Sequence, residues 1–252
     1  MENKSYDQVV GPAQAPYVNR LAAECGLATS FVAEAHPSLP NYVAMTSGSP
    51  QGVADDADPP AHRLAAPSIF SQLGANWRSL EESMPGNCAA ADAGLYAARH
   101  NPAVYYTGLA GACRTQDVPL SATPELSAAF TFITPNLCHD MHPCPSTPDA
   151  SAQTVAGDRW LAGFVPQVLA SREYRSGATA VFLTWDEGEG EGQRIATLVL
   201  SPSTPAGARS HRSFDHYSML RTTEELLGLR PYLGAAASAT SMASDFSLSR
   251  AP

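Results

Sequence analysis

The stretch from Ala178 to Glu187, ATAVFLTWDE, decides the fold class of this sequence. Its first eight residues form an apolar run of the length of a buried strand, and two carboxylates follow directly. Upstream, residues 158–171 have the apolar spacing of an amphipathic helix with Asp158 near its start. A helix followed by a buried strand is the alternation expected of helices packed on a central sheet, so the pattern predicts an α/β fold.

The rest of the chain continues this alternation, and no internal repeat is found. Further helices are predicted over 16–25, 41–45, 68–73, 90–99 and 215–227, and extended segments over 28–33, 77–82, 130–134 and 195–200. Residues 55–66 and 135–149 have loop compositions. We expect one domain over 1–233, followed by a poorly specified tail over 234–252 that is rich in Ala and Ser.

The composition argues against nucleic-acid binding and against a membrane-spanning helix. The 252 residues include 15 basic and 24 acidic side chains, a net charge of -9, and Lys4 is the one lysine. Binding nucleic acid by charge neutralisation is therefore excluded. Apolar residues make up 44% of the chain, but no apolar run approaches 18 residues, so we expect no membrane-spanning helix.

Five cysteines are present and none forms a CxxC pair, so the sequence indicates neither a zinc knuckle nor a thioredoxin-type site. Local spacing favours disulfides Cys138–Cys144 and Cys88–Cys113, which leaves Cys25 as a free thiol. The alternative is a cytosolic protein with five reduced thiols.

Asp186 and Glu187 are candidate ligands of a hard metal ion. In open α/β sheets, ligands bind beyond the carboxyl ends of strands, where these two residues lie. Adjacent carboxylates are costly to hold together unless a cation or a proton compensates their charge. The alternative is a solvated acidic turn, which the nearby Glu189 and Glu191 make plausible.

Ser38 is a candidate phosphate-binding residue. It follows a predicted strand and precedes a predicted helix, so its hydroxyl would face free backbone N–H groups and the positive end of the helix dipole. The alternative is a plain N-cap serine.

Six blocks of sequence, in the same order, resemble a known family. The blocks are MENKSY (1–6), HPSLPNY (36–42) with TSG (46–48), HNP (100–102), NLCHDMH (136–142), TWDE (184–187) and SHRSFDHYSMLR (210–221). They are similar to the bacterial and fungal phosphoesterase family of acid phosphatases and phospholipase C enzymes, within the alkaline-phosphatase superfamily. The resemblance implies a central, mostly parallel sheet flanked by helices in three layers.

The resemblance also implies roles for single residues. Glu2, Asn3, Asp186 and Glu187 match metal ligands. Ser38 resembles the hydroxyl residue of the Thr/Ser-x-Pro-Asn segment of nucleotide pyrophosphatases, which is both the nucleophile and a metal ligand. Such a metal would favour the serine alkoxide, because a free serine is a weak nucleophile at neutral pH.

Histidines complete the matched site. His100 and His142 match residues that face the phosphoryl group, where they would stabilise its oxygens or protonate the leaving alcohol. His139 and His216 lie in matched blocks on the substrate side. Asn41 is expected to support either the turn or the phosphate.

Two departures from the family pattern indicate how many metal ions are bound and which type of phosphate ester is cleaved. The doublet Asp186-Glu187 replaces the Asp-His doublet of two-metal members, so we expect one metal ion. Oxygen ligands favour Ca²⁺, Mg²⁺ or Mn²⁺ over Zn²⁺. The chain also lacks the insertions and C-terminal modules of the phospholipase C members, which favours a phosphomonoesterase that acts through a phosphoserine intermediate on a small phosphorylated substrate.

Three alternatives stay open. The first is phosphodiesterase or phospholipase C-like activity. The second is a secreted metal- or phosphate-binding protein without turnover. The third is a serine carboxyl-ester hydrolase, although the sequence has no Gly-x-Ser-x-Gly elbow.

The start of the chain gives a further expectation. Members of the family have an apolar strand directly before the Glu-Asn pair, whereas here only Met1 precedes Glu2. We therefore expect the fold to lack its first strand in this chain. We also expect a secreted or cell-envelope protein whose signal peptide is missing here, or a cytoplasmic protein if Met1 is the true start.

Overall fold

Two β-sheets and the helices around them form the structure, a computed structural model that describes residues 1–190 and 192–249. The strands are β1 (Gly26–Val32), β2 (Trp77–Glu81), β3 (Asp117–Pro119), β4 (Phe130–Thr134), β5 (Val181–Thr184), β6 (Arg194–Leu200), β7 (Arg209–Ser210) and β8 (Phe214–Asp215). The larger sheet has the order β5-β6-β1-β7, with β8 also paired to β1, and the smaller has the order β3-β2-β4.

Eight α-helices are described in these residues. They are α1 (Tyr6–Val9), α2 (Pro16–Glu24), α3 (Ser38–Ser47), α4 (Ile69–Gln72), α5 (Ala110–Gln116), α6 (Ala150–Ala170), α7 (Arg172–Arg175) and α8 (His216–Leu227). Helix α2 packs against α6, and α3 packs against α8. Sheets flanked by helices confirm the predicted α/β class. No helix among the described residues combines the length and hydropathy needed to cross a bilayer.

Strand directions bring the ends of β1 and β5 to the same edge of the larger sheet. Both β1 and β5 pair with β6 in antiparallel fashion, so they run in the same direction. In the smaller sheet β2 is parallel to β3 and β4. Residues that follow β1 and β5 in sequence therefore lie close together, and these include Ser38, Asp186 and Glu187.

Two apolar clusters hold the layers together. The larger is built on β1 and β6, where Phe31, Ile195 and Leu198 are buried. The smaller surrounds Phe70 and Trp77, whose rings pack 4.8 Å apart between centroids. Burying such side chains stabilises the fold by about 1.5–3 kcal/mol each.

The helix predicted over 90–99 is wrong. This segment is a loop in which Ala93 and Tyr96 form an isolated bridge, and only Ala98–His100 makes a short 3₁₀ turn. Gly94 takes a left-handed φ of 59°, which breaks an α-helix. The small residues favour helix locally, but they offer no apolar stripe that would hold one against the core.

The helix predicted over 158–171 begins earlier than expected, at Ala150, where the Asp149 side chain accepts a hydrogen bond from the backbone N–H of Ala152. Asp158 lies inside α6 and is buried. Its carboxylate accepts hydrogen bonds from the backbone N–H groups of Tyr17 (3.1 Å) and Val18 (2.8 Å), in the first turn of α2. Asp158 thus caps a different helix from the one it sits in.

The C-terminal segment is packed, not loose. Met242 and Phe246 are fully buried, and the short 3₁₀ helix Gly234–Ala237 lies beside α8. A Cβ on Gly26 would lie 2.6 Å from Cδ1 of Phe246, so the tail closes directly over the start of β1. Residues 250–252 lie outside the described part of the chain.

Both predicted disulfides are present. Cys88 is bonded to Cys113, and Cys138 to Cys144. Cys25 is a free, half-buried thiol, as expected.

Candidate active site

Ser38 is the first residue of α3 and is only 2% exposed. The turn before it is held by Asn41, whose side-chain oxygen accepts hydrogen bonds from the backbone N–H groups of Glu34 and Ala35, both at 3.0 Å. The Asn41 side-chain nitrogen donates to the carbonyl oxygen of Ala35 at 2.8 Å. Asn41 therefore supports the turn that presents Ser38.

The first residues of the chain run beside the end of β5. The α-amino group of Met1 donates to the carbonyl oxygen of Thr184 at 3.1 Å, and the N–H of Asp186 donates to the carbonyl oxygen of Met1 at 3.0 Å. This pairing places Glu2 and Asn3 next to the carboxylates that follow β5. The backbone N–H of Asn3 donates to Oδ1 of Asp186 at 3.1 Å.

Three oxygens converge on the hydroxyl of Ser38. Its Oγ lies 3.0 Å from Oε2 of Glu2, 3.4 Å from Oδ1 of Asn3 and 3.4 Å from Oε1 of Glu187. A hydroxyl has one proton, so it satisfies only one of these acceptors at a time. Oδ2 of Asp186 is also buried and has no hydrogen-bond partner among the described residues.

The raised pKa values of two carboxyl groups in this cluster also indicate that it has too few hydrogen-bond donors. Burial, reinforced by the charge of Glu2, raises the pKa of Asp186 to about 8. Burial and the charge of Asp186 raise the pKa of Glu187 to about 8. Converging oxygen ligands that lack donors are the arrangement that a hard divalent cation compensates. Glu2, Asn3, Ser38, Asp186 and Glu187 therefore fit Ca²⁺, Mg²⁺ or Mn²⁺ better than Zn²⁺.

His100 lies beside this cluster and is buried between two carboxylates. Its Nε2 is 3.2 Å from Oε2 of Glu2, and its Nδ1 is 3.3 Å from Oδ2 of Asp140. Burial opposes the charged imidazolium, yet the two carboxylates raise the pKa of His100 to about 10. Burial would also raise the pKa of Glu2, but the charge of His100 lowers it to about 2. Glu2, His100 and Asp140 thus form a buried ion-paired triad in which the positive charge of His100 offsets one of the two carboxylates.

His142 is the more accessible of the two histidines assigned to catalysis. Its ring centroid lies 5.9 Å from that of His100, and its side chain is half-buried. The backbone N–H of His142 donates to Oδ1 of Asp140 at 2.7 Å. Asp140 therefore holds both histidines at once, one through the imidazole and the other through the backbone.

The other two histidines lie apart from Ser38. His139 Nδ1 is 2.9 Å from Oε2 of Glu82, and its ring stacks on Trp160. His216 is fully buried, with Nε2 at 3.1 Å from the carbonyl oxygen of Trp185 and Nδ1 at 3.1 Å from Oε2 of Glu34. His216 thus fixes the backbone just before Asp186, from behind the site.

Several residues near the cluster were not assigned a role from the sequence. The hydroxyl of Tyr42 donates to Oε1 of Glu2, and Nδ1 of His36 contacts Oε2 of Glu187. Lys4 is fully buried, and its Nζ donates to the carbonyl oxygen of Asn3 at 3.0 Å. These residues and Asp140 all lie inside the matched sequence blocks, and that position is the sequence feature that could have identified them as site residues.

Solved structures that superpose on this chain show which fold it has. A protein of the alkaline phosphatase superfamily from Vibrio parahaemolyticus superposes with a TM-score of 0.65 at 11% identity, over 98% of this chain and 70% of that one. The lipoteichoic acid synthase LtaP from Listeria monocytogenes superposes with a TM-score of 0.63 at 11% identity, over 95% and 74%. These likenesses confirm an alkaline-phosphatase-like fold.

Residues 8–230 match the model of the Phosphoesterase family. The chain therefore belongs to that family, and the predicted class of hydrolase acting on phosphoric ester bonds is confirmed at this level. The match includes Ser38, His100, His142, Asp186 and Glu187, whereas Glu2 and Asn3 precede it.

Curated relatives cover most of this chain. A phosphatidylinositol-3-phosphatase of Mycobacterium tuberculosis is 28% identical over 247 residues, 94% of this chain and 78% of the relative. A probable acid phosphatase of Kluyveromyces lactis is 28% identical, over 93% of this chain and 58% of the relative. A phosphate-repressible acid phosphatase of Penicillium chrysogenum is 27% identical, over 86% and 55%. The chain thus spans little more than half the length of these two fungal relatives.

Proposed function

We propose that this chain is a metal-dependent phosphomonoesterase whose nucleophile is Ser38. The observation that carries the proposal is the convergence of Glu2, Asn3 and Glu187 on the Ser38 hydroxyl, within 3.4 Å. A divalent cation held by these oxygens and by Asp186 would stabilise the negative charge that develops on the serine and phosphoryl oxygens. The resemblance to acid phosphatases supports the monoester as substrate class.

The chain's own residues then divide the work. Ser38 Oγ forms a bond to phosphorus while the bond to the alcohol oxygen breaks, which gives a phosphoserine. The Ser38 hydroxyl gives up its proton to solvent water, because a cation bound by the oxygens around Ser38 would favour the serine alkoxide. His142 is the accessible histidine, so it is assigned to protonate the leaving alcohol. Water then attacks the phosphoserine, which releases phosphate and restores the Ser38 hydroxyl.

His100 is assigned to binding and orientation. It is buried and carries positive charge between Glu2 and Asp140. His100 therefore fixes the carboxylate of Glu2 and adds positive potential near the transferred phosphoryl group. His139 lies farther out, where Trp160 stacks on it, and would meet the alcohol portion of the substrate.

We also infer that the protein acts outside the cytoplasm. The two disulfides support an oxidising compartment, because such bonds are rare where thiols are kept reduced.

The proposal is tested with p-nitrophenyl phosphate after chelation and add-back of single divalent ions. Turnover is expected with Mg²⁺, Mn²⁺ or Ca²⁺ and is expected to disappear in Ser38→Ala, while the exposed Ser203→Ala serves as a matched control. If no phosphate ester is cleaved with any ion, the enzyme proposal fails for this chain. Faster turnover of bis-p-nitrophenyl phosphate would replace the monoesterase with a diesterase.

A further inference from the structure

Asp56 bonds directly to the helix that begins with Ser38. Its Oδ1 accepts a hydrogen bond from the backbone N–H of Leu39 at 2.9 Å, one residue after Ser38. Leu39 is fully buried, so solvent water does not take the place of this acceptor. Asp56 therefore satisfies one of the N–H groups that a helix leaves unpaired in its first turn.

The first turn of α3 has few other N–H groups to offer. Pro40 has none, and the N–H of Leu39 is bound to Asp56, so among the first three residues only Ser38 has an N–H left for an anion. The carboxylate of Asp56 also compensates the positive end of the helix dipole, which would otherwise attract a phosphate. The start of α3 is thus better suited to fixing the Ser38 backbone than to binding a phosphate through its N–H groups.

The loop that carries Asp56 is fixed on both sides of this residue. Val53, three residues earlier, is buried in the smaller apolar cluster. The carbonyl oxygen of Ala57 accepts a hydrogen bond from the hydroxyl of the buried Tyr105 at 3.1 Å. Farther along, the backbone N–H of Leu64 donates to the carbonyl oxygen of Tyr105 at 2.9 Å. The loop therefore holds Asp56 at a set position against α3.

The second oxygen of Asp56 faces Arg99, the residue before His100. Oδ2 of Asp56 lies 3.9 Å from Nε of Arg99, and the side chains of Asp56 and Arg99 are 34% and 18% exposed. A partly exposed ion pair at this distance has no hydrogen bond and contributes little to stability. The bond to the N–H of Leu39 is therefore the contact through which Asp56 acts on Ser38.

We propose that Asp56 is a positioning residue for the Ser38 nucleophile. Its carboxylate fixes the backbone of Leu39 and thereby keeps the Ser38 hydroxyl within 3.4 Å of the three oxygens that converge on it. A displacement of about 1 Å in a reacting atom lowers a rate by about 100-fold, so a contact one residue away affects turnover without touching the substrate. This proposal rests on the assignment of Ser38 as the nucleophile, and it adds a residue from a loop outside the matched sequence blocks.

Two substitutions separate the hydrogen bond of Asp56 from its charge. Asp56→Ala removes the acceptor of the Leu39 N–H, whereas Asp56→Asn keeps an oxygen acceptor and loses the charge. With p-nitrophenyl phosphate and the divalent ion that supports turnover, we expect Asp56→Ala to lower kcat about 10- to 100-fold and to change KM less than about threefold. Asp56→Asn should keep kcat within about threefold, because the charge faces only a partly exposed arginine.

The matched control is Asp55→Ala, in the same loop. Oδ1 of Asp55 accepts a hydrogen bond from the backbone N–H of Ala57 at 2.9 Å and contacts Nε2 of His62, and the side chain is 63% exposed. Asp55 thus makes a loop bond of the same kind without any bond to α3. We expect Asp55→Ala to leave kcat unchanged.

Amide hydrogen exchange at Leu39 gives a readout that does not depend on turnover. Because Asp56→Ala removes the acceptor and Asp56→Asn keeps it, exchange at Leu39 should be at least about tenfold faster in the first variant and within about threefold of the unsubstituted rate in the second. Fast exchange throughout β1 would reveal a variant that does not fold, so faster exchange confined to the start of α3 supports the proposal.

An unchanged kcat in Asp56→Ala, or an equal loss in Asp56→Ala and Asp56→Asn, would overturn the proposal. If Asp56→Ala does not fold, Asp56→Asn decides: retained kcat with retained protection of Leu39 supports the proposal, and a tenfold loss of kcat overturns it. Absence of turnover in the unsubstituted chain contradicts the proposed phosphatase function itself, whereas failure of the Asp56 assignment requires an active unsubstituted chain.

Discussion

Oδ2 of Asp140 lies 3.3 Å from Nδ1 of His100, on the opposite side of the imidazole from Glu2. Both side chains are almost fully buried. Because Asp140 also holds the backbone of His142, it is placed to orient two histidines without touching the Ser38 hydroxyl.

Asp140→Asn is expected to lower kcat by about 10- to 100-fold while KM changes little, because a supporting carboxylate of this kind acts through the residues it holds. An asparagine keeps an oxygen for the His142 N–H but removes the charge beside His100. Steady-state kinetics with p-nitrophenyl phosphate measure both constants. The control is Asp7→Asn, because the side chain of Asp7 is exposed. An unchanged kcat in Asp140→Asn would contradict the orienting role of Asp140.

Tyr42→Phe is expected to lower the free energy of unfolding by about 1–3 kcal/mol, because it leaves a buried oxygen of Glu2 without its donor. Urea denaturation of the chelated protein measures this change. The same substitution at Tyr6, whose side chain is half-buried over Arg194, should have a smaller effect. Equal losses in the two variants would show that the Tyr42 hydroxyl contributes nothing specific.

Stability should fall as pH rises from about 5 to 8, because of a buried pair of acids at the ends of β2 and β3. Burial raises the pKa of Asp117 to about 7, and burial with the charge of Asp117 raises the pKa of Glu81 well above its usual range. A folded-state pKa above the unfolded value gives stability that is complete at low pH and is lost as pH rises through the folded pKa. The expected slope is up to about 1.4 kcal/mol per pH unit for each group.

Urea denaturation at pH 5 and at pH 8 measures this slope. Asp117→Asn keeps the side chain's shape and its contact with Asn101 but removes one titrating group, so the loss of stability between the two pH values should shrink. An unchanged slope in Asp117→Asn would assign the pH dependence to other groups.

Removal of one disulfide should mainly lower stability, and removal of the other should mainly lower kcat. The bond Cys138–Cys144 spans 6 residues and Cys88–Cys113 spans 25, so loop entropy assigns them roughly 2 and 3–4 kcal/mol of stability, respectively. The shorter loop, however, carries His139 and His142. Paired Cys→Ser variants should therefore show the larger loss of Tm for Cys88–Cys113 and the larger loss of kcat for Cys138–Cys144; the reverse order in kcat would contradict the assignment of His142.

Elements with both an apolar stripe and end signals were predictable from the sequence. The helix α8 begins after Asp215, whose side chain accepts from the N–H of Ser218, and ends at the left-handed Gly228. Such signals are local, so the sequence contains them. The same holds for the two disulfides, since short spacing brings their cysteines together.

Long-range contacts explain why the start of α6 was predicted wrongly. Asp158 looks like the start of its own helix, but its hydrogen-bond partners are Tyr17 and Val18, more than a hundred residues away. In the site, the sequence blocks located the cluster around Ser38. The blocks did not distinguish the residues whose side chains face this cluster from Asn41 and His216, whose side chains bond to the backbone around it. Sequence spacing does not show which backbone groups a side chain bonds to.

The burial of Lys4 has a practical consequence. It carries the only side-chain amine of the protein, and that amine is enclosed against Asn3 and Glu189. Acylation of Lys4 by a reagent such as an N-hydroxysuccinimide ester therefore requires the segment bearing Glu2 and Asn3 to open. The rate of Lys4 acylation, followed by peptide mass spectrometry, therefore measures how often the segment bearing Glu2 and Asn3 opens, and we expect added divalent ions to slow it.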